Sequence, residues 1–210
     1  MMKKNNHFIF DFETIGQSIF TAPIVNCAYF VFDFNRFTSD EPYTFKELIG
    51  DIRFVKFDIK EQLAAGYKFK KRDIQWWQDL GPAASKQIIP SSDDIAISEF
   101  VTRLTDYLSD TKIVRWWSRA NCFDPILLQR IFEDVSNNDE LNKMLPFWHV
   151  RDIRTYIDTR FDFKIKKNAF CPIDDVALWD KYFVAHNSIH DVAADILRLQ
   201  KIERSIFCDN

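Results

Sequence analysis

Over the first third of the chain the apolar positions fall in near-continuous runs, not in helical stripes. His7-Phe8-Ile9-Phe10-Asp11-Phe12-Glu13-Thr14 predicts a first strand, and its mostly apolar character puts it at the centre of a sheet. Ile24 to Asp33 predicts a second strand and Tyr43 to Ile49 a third, with Gly16 supplying the first turn. The short separations suit an antiparallel meander, because a parallel crossover needs about a dozen connecting residues. Helical periodicity then takes over. Ile59 to Ala65 predicts a short helix, and Asp73 to Leu80 another, stopped by Gly81-Pro82. Ser91-Ser92-Asp93-Asp94 predicts the start of an amphipathic helix reaching about Leu108, with Ile95, Ile97, Phe100, Leu104 and Leu108 on its buried side.

Lys112 to Trp117 predicts a further strand and Asp124 to Phe132 the helix behind it. Met144 to Trp148 reads as a weak strand or loop, Asp152 to Thr159 as a helix, and Ser188 to about Glu203 as the last helix. Arg160 to Pro172 is poorly patterned and is expected to be a surface excursion. The order β-β-β-α-β-α-β-α predicts a single α/β domain over residues 1–210, built on a mixed sheet.

Composition narrows the class. The chain has 210 residues, 47% of them hydrophobic, with only 4 Gly and 7 Pro, which excludes collagen-like and wholly disordered chains. A net charge of -3 argues against an electrostatic wrapper of duplex DNA but leaves room for a nucleic-acid enzyme with local basic residues. Cys27, Cys122, Cys171 and Cys208 lack metal-knuckle spacing and read as reduced thiols. No stretch approaches 18 uncharged apolar residues, so no membrane association is expected and the expected location is cytoplasmic.

Three islands carry candidate chemistry. Asp11 and Glu13, two positions apart on a strand, leave the same face, while Phe10 and Phe12 turn into a core. Burying two like charges costs several kcal/mol unless a cation balances them, and hard divalent ions favour such oxygen ligands. A solvated strand edge would explain the pair as well. Asp124, ahead of Pro125, stands either as a helix N-cap or as a ligand. In His186-Asn187-Ser188-Ile189-His190-Asp191-Val192-Ala193-Ala194-Asp195, the Ser188 to Asp191 spacing fits a capping box, which gives Asp191 a structural task. Asp195 sits among Ala193, Ala194, Ile196 and Leu197, where a ligand is better supported than a solvated acid.

Taken together, these islands resemble the DEDDh branch of the 3′-5′ exonucleases in the ribonuclease H-like superfamily, and within it the phage-encoded exodeoxyribonucleases. The first motif of that family, Asp-x-Glu-Thr, is matched by Asp11-Phe12-Glu13-Thr14, the second by Phe123-Asp124, and the third, His-x-x-x-x-Asp, by His190 and Asp195. His186 with Asp191 has the same spacing. We take His190 with Asp195, since the cap already employs Asp191 and an uninterrupted helix follows. An ideal helix sets His190 and Asp195 about 140° apart, so only the resemblance pairs them. It implies a ribonuclease H-like fold with a mixed five-stranded sheet, its first three strands antiparallel, flanked by helices.

The resemblance further implies two Mg²⁺ or Mn²⁺ ions held by Asp11, Glu13, Asp124 and Asp195, with His190 as the general base, releasing nucleoside 5′-monophosphates from a 3′ end. Thr14 and Ile15 are then expected near the terminal nucleotide. Relatives carry His-Asn ahead of the second motif. Here the stretch is Ser118-Arg119-Ala120-Asn121, with Asn121 the candidate contact. Trp76 and Trp77, behind Lys68, Lys70, Lys71 and Arg72, offer stacking faces or ordinary packing, and Lys164, Lys166 and Lys167 form a second basic patch. Trp116 and Trp117 belong to a central strand and read as packing. The expected partner is the 3′ end of single-stranded DNA, met by a monomer rather than an obligate oligomer. RNA is the alternative substrate, since the acids do not read the sugar. A binding module that has lost its chemistry is a further alternative, but it predicts a missing carboxylate.

Overall fold

The computed structural model describes residues 4–160 and 183–208, so Lys164, Lys166 and Lys167 and most of the expected excursion lie outside the described residues. Five strands, β1 (Asn6–Thr14), β2 (Ile24–Asp33), β3 (Arg53–Lys56), β4 (Arg115–Ser118) and β5 (Val150–Asp152), form one sheet in the order β3-β2-β1-β4-β5. The first three are antiparallel, while β4 and β5 run parallel to β1. The helices are α1 (Phe45–Asp51), α2 (Ile59–Ala64), α3 (Lys71–Asp79), α4 (Pro82–Ser85), α5 (Ile97–Leu108), α6 (Asp124–Val135), α7 (Asn138–Met144), α8 (Ile153–Arg160) and α9 (Ser188–Cys208). This is the ribonuclease H-like topology. None of the described helices is long and apolar enough to cross a membrane.

Strand alternation sorts β1 between two cores. Phe8, Phe10 and Phe12 pack with Phe100 and Leu104 of α5 and with Leu127, Leu128 and Ile131 of α6. Ile9 faces the opposite way, into a cluster with Leu48 of α1, Ile153 of α8 and Val192, Ile196 and Leu199 of α9. Asp11 and Glu13 continue the parity of Ile9, so they emerge beneath the start of α9. Trp116 and Trp117 are buried, their indole N–H groups donating to the Pro146 carbonyl at 2.8 Å and to His7 Nδ1 at 2.9 Å.

Two sequence expectations are corrected, and one open alternative is decided. Tyr43 to Ile49 is not a strand. Thr44 caps α1 by accepting from the Glu47 N–H, and Phe45 and Leu48 turn inward with helical spacing. The third strand is the shorter β3, which follows. The helix expected from Ser91 begins at Ile97, because Asp94 closes a turn onto the Ser91 N–H and pairs with Lys56 at 2.9 Å. That pair lets Ile95 bridge to Phe57 as an extension of the sheet. The Met144 to Trp148 segment divides between the end of α7 and a 3-10 turn, Phe147–His149, and strand pairing begins only at Val150.

Candidate active site

The site forms where the carboxyl end of β1 meets the amino ends of α6 and α9. Carboxylate oxygens of Asp11, Glu13 and Asp191 lie within 4.8 Å of one another, a group that could hold a metal ion. Asp124, first residue of α6, is buried and accepts from the Phe12 N–H at 3.2 Å, which ties α6 to the strand between the other two acids. Burial, and then the charges of Asp124, Glu13 and Asp191, push the Asp11 carboxyl well above the usual carboxylate range. Burial and Glu13 likewise push both Asp124 and Asp191 up to about 7. Buried carboxylate oxygens crowded this closely form a donor set suited to a hard divalent ion.

Asp195 stands in a different setting. One helical turn beyond Asp191, its carboxylate is ion-paired to Arg119 and, at 2.6 Å, to Arg198. Two guanidinium groups hold its oxygens, so it braces α9 against the loop after β4, while Asp191 is the α9 acid grouped with Asp11 and Glu13. The capping assignment shifts as well. Asn187, not Ser188, caps α9, with its Oδ1 accepting from the Ile189 N–H at 3.1 Å. Ser188 donates inward to Asn26 Oδ1 at 2.7 Å. Asp191 is therefore free of capping duty.

The histidines divide in the same register. His190 Nδ1 accepts from the Val184 N–H at 2.9 Å and its ring edge meets Phe45, while burial lowers its pKa. These contacts hold it against α1 and the segment ahead of α9. His186 Nδ1 lies 3.7 Å from Glu13 Oε1, and that contact raises its pKa. The ring is half-exposed and meets Trp76 nearly perpendicularly at 4.8 Å. Its backbone is left-handed, φ 59°, unusual for a non-glycine residue.

The remaining expected contacts separate by exposure. Trp76 is 44% exposed beside His186. Trp77 is wholly buried and donates from Nε1 to the Thr14 carbonyl at 3.1 Å, so it packs and offers no face to a nucleotide. Ile15 is buried with Val25, Ile59 and Trp77 and is not presented to solvent. Thr14 donates to the Gly16 carbonyl at 2.6 Å. Gly16 has φ +107°, and a Cβ there would stand 3.0 Å from Asp73 Oδ2, so glycine alone lets the chain pass α3. Asn121 is exposed, with its backbone N–H donating to Asp152 Oδ2 at 3.0 Å.

A ribonuclease H-like sheet with acids gathered at the end of its first strand and at the starts of α6 and α9 defines a 3′-5′ exonuclease of the DEDDh class. The model of the 3′-5′ exoribonuclease Rv2179c-like domain matches residues 6–198, and the chain belongs to that family. The exodeoxyribonuclease of Enterobacteria phage T4 is 36% identical over 207 residues, spanning 92% of this chain and 87% of the phage protein. Among solved structures, zinc-bound E. coli ExoI in complex with ssDNA superposes with a TM-score of 0.55 at 13% identity, over 99% of this chain and 41% of that one. The present chain thus spans less than half of that protein. Yeast NOT1 MIF4G domain co-crystallized with CAF1 gives a TM-score of 0.60 at 14% identity, over 97% of this chain and 81% of the other. At these identities the solved structures share the fold.

Proposed function

We propose that the protein is a divalent-metal-dependent 3′-5′ exodeoxyribonuclease of single-stranded DNA, releasing nucleoside 5′-monophosphates. The observation that carries this reading is the convergence of Asp11, Glu13 and Asp191 oxygens within 4.8 Å beside His186. These three carboxylates and Asp124 would hold two Mg²⁺ or Mn²⁺ ions. When bound, the ions supply an acidified water and charge stabilisation for the 3′-oxyanion leaving group.

The chain's own residues do the rest. His186, poised against Glu13 and partly open to solvent, takes the proton from the attacking water through a ring nitrogen. Trp76 gives the terminal base an aromatic face. Asp124, anchored on the Phe12 N–H, keeps the acid group in place while charge develops on the phosphate. The 36% identical phage exodeoxyribonuclease favours DNA. The family description favours a second reading, the same chemistry on RNA. Degradation of matched 5′-labelled single-stranded DNA and RNA, with Mg²⁺, Mn²⁺ or EDTA, separates the two. A ladder shortening from the 3′ end of DNA, abolished by EDTA, is the expected result. Faster loss of RNA selects the second reading, and metal-independent cleavage overturns both.

A further inference from the structure

A chain of side chains outside the acid cluster leads to the backbone of His186. Ser188 donates to Asn26 Oδ1 at 2.7 Å, Asn26 Nδ2 donates to Gln87 Oε1 at 2.8 Å, and Gln87 Nε2 donates to the His186 carbonyl at 2.8 Å. Every donor points the same way, so each amide polarises the next. Asn26 and Ser188 are fully buried, and both polar ends of the Asn26 amide are used. The strand register sets Asn26 directly across from Glu13, so the relay starts beside a site acid and ends on the residue that touches it. His186 is also the non-glycine residue with left-handed backbone among those described, a conformation that persists only where its surroundings enforce it.

We infer that Gln87, held by Asn26 and Ser188, is a positioning residue that fixes the His186 backbone so that its imidazole stands over the acid cluster. The argument rests on His186 being the base. Neither Gln87 nor Asn26 touches the reacting atoms. Their effect passes through the His186 carbonyl and the start of α9. A misplacement of about 1 Å in a positioned group is enough to cost up to about 100-fold in rate.

The test is a double-mutant cycle on the full chain, measuring steady-state cleavage of a 5′-labelled single-stranded DNA oligonucleotide in Mn²⁺. Gln87→Met keeps length and loses the donor. It is expected to lower kcat about tenfold with KM unchanged, and to have no further effect in the His186→Ala background. Ser188→Thr, which keeps the hydroxyl, should retain more activity than Ser188→Ala. An equal loss from Gln87→Met with and without His186 overturns the inference, as does wild-type kcat in Gln87→Met. Full activity of His186→Ala instead overturns the assignment of the base, and the two failures are thereby distinct. Melting temperatures of all variants show whether a loss is of fold.

Discussion

Arg119 and Asp195 form a buried ion pair across the loop after β4 and the first turns of α9, and Arg198 completes it from the far side. The arrangement assigns opposite fates to two aspartates one turn apart. Removing the Asp195 carboxylate takes the anionic partner from two largely buried guanidinium groups, and breaking such a buried pair costs about 3–5 kcal/mol. Asp195→Ala is therefore expected to melt well below the wild-type protein. Asp191→Asn should melt no lower in EDTA while losing at least about 100-fold in nuclease turnover. Urea denaturation paired with a cleavage assay checks both. A stable Asp195→Ala protein would contradict the bracing role.

Stability of the metal-free protein should fall as pH rises. Asp124 and Asp191 have carboxyls raised to about 7 by burial and Glu13. In the unfolded chain they titrate near 4, so between about pH 4 and 7 the folded state binds more protons than the unfolded one. Raising pH through that window removes those protons and destabilises the fold. The Asp191→Asn protein should lose part of this slope, gaining on wild type by at least about 3 °C in melting temperature between pH 5 and 8 in EDTA. Parallel melting curves for the two proteins across that range would show that the cluster is not electrostatically strained.

Divalent ions should reverse the same strain. Mn²⁺ or Mg²⁺ binds the folded acid group and scarcely the unfolded chain, so saturating metal at pH 8 should raise the wild-type melting temperature. The shift should shrink strongly in Asp11→Asn and Asp191→Asn and survive in the Asp195→Asn protein at whatever stability it retains. Differential scanning fluorimetry against metal concentration gives the comparison. A metal shift lost with Asp195 but kept without Asp191 would restore the other register.

The two adjacent tryptophans should separate binding from folding. Trp77 is buried with its indole N–H on the Thr14 carbonyl, so Trp77→Ala opens a cavity beneath the motif loop and should cost about 3–5 kcal/mol. Trp76→Ala should leave stability within about 0.5 kcal/mol and weaken single-stranded DNA binding, because base–aromatic stacking contributes about 1–3 kcal/mol. Equilibrium unfolding and fluorescence anisotropy with an Asp191→Asn background read the two effects independently.

Much of this fold is readable in local pattern. The near-continuous apolar runs of β1 and β2 and the Val192, Ile196, Leu199 stripe of α9 set the sheet centre and the helix that covers it. Where the pattern misleads, a competing interaction decides. Thr44 and Glu47 have the spacing of a helix start, a signal within the misread third strand. In the site, Asp11, Glu13 and Asp124 are legible because strand parity and the Pro125 helix start fix them locally. The third motif is not, since two overlapping His-x-x-x-x-Asp frames start four residues apart. The choice depends on contacts from distant elements, Arg119 drawing Asp195 away and Asn26 drawing in Ser188. One local signal was present: Asn187, a strong N-cap, shifts the helix start and releases Asp191.

The histidine register yields the sharpest kinetic expectation. His186 sits 3.7 Å from Glu13, and the contact raises its pKa above the ordinary 6.5, so its neutral, proton-accepting form is populated only as pH climbs past that value. Wild-type single-turnover rates should therefore rise through the imidazole titration and then flatten. His186→Ala should lose about 10²- to 10⁴-fold, keep its metal-induced melting shift, and continue to gain rate with pH as hydroxide substitutes for the base. His190→Ala removes the acceptor of the Val184 N–H and a contact with Phe45, so it should lower stability by about 1–2 kcal/mol yet turn over within a few-fold of wild type. Rates of both variants from pH 6 to 9, measured well below their melting temperatures, decide the matter. A crippled His190→Ala with its fold intact, beside an active His186→Ala, would return the base to His190.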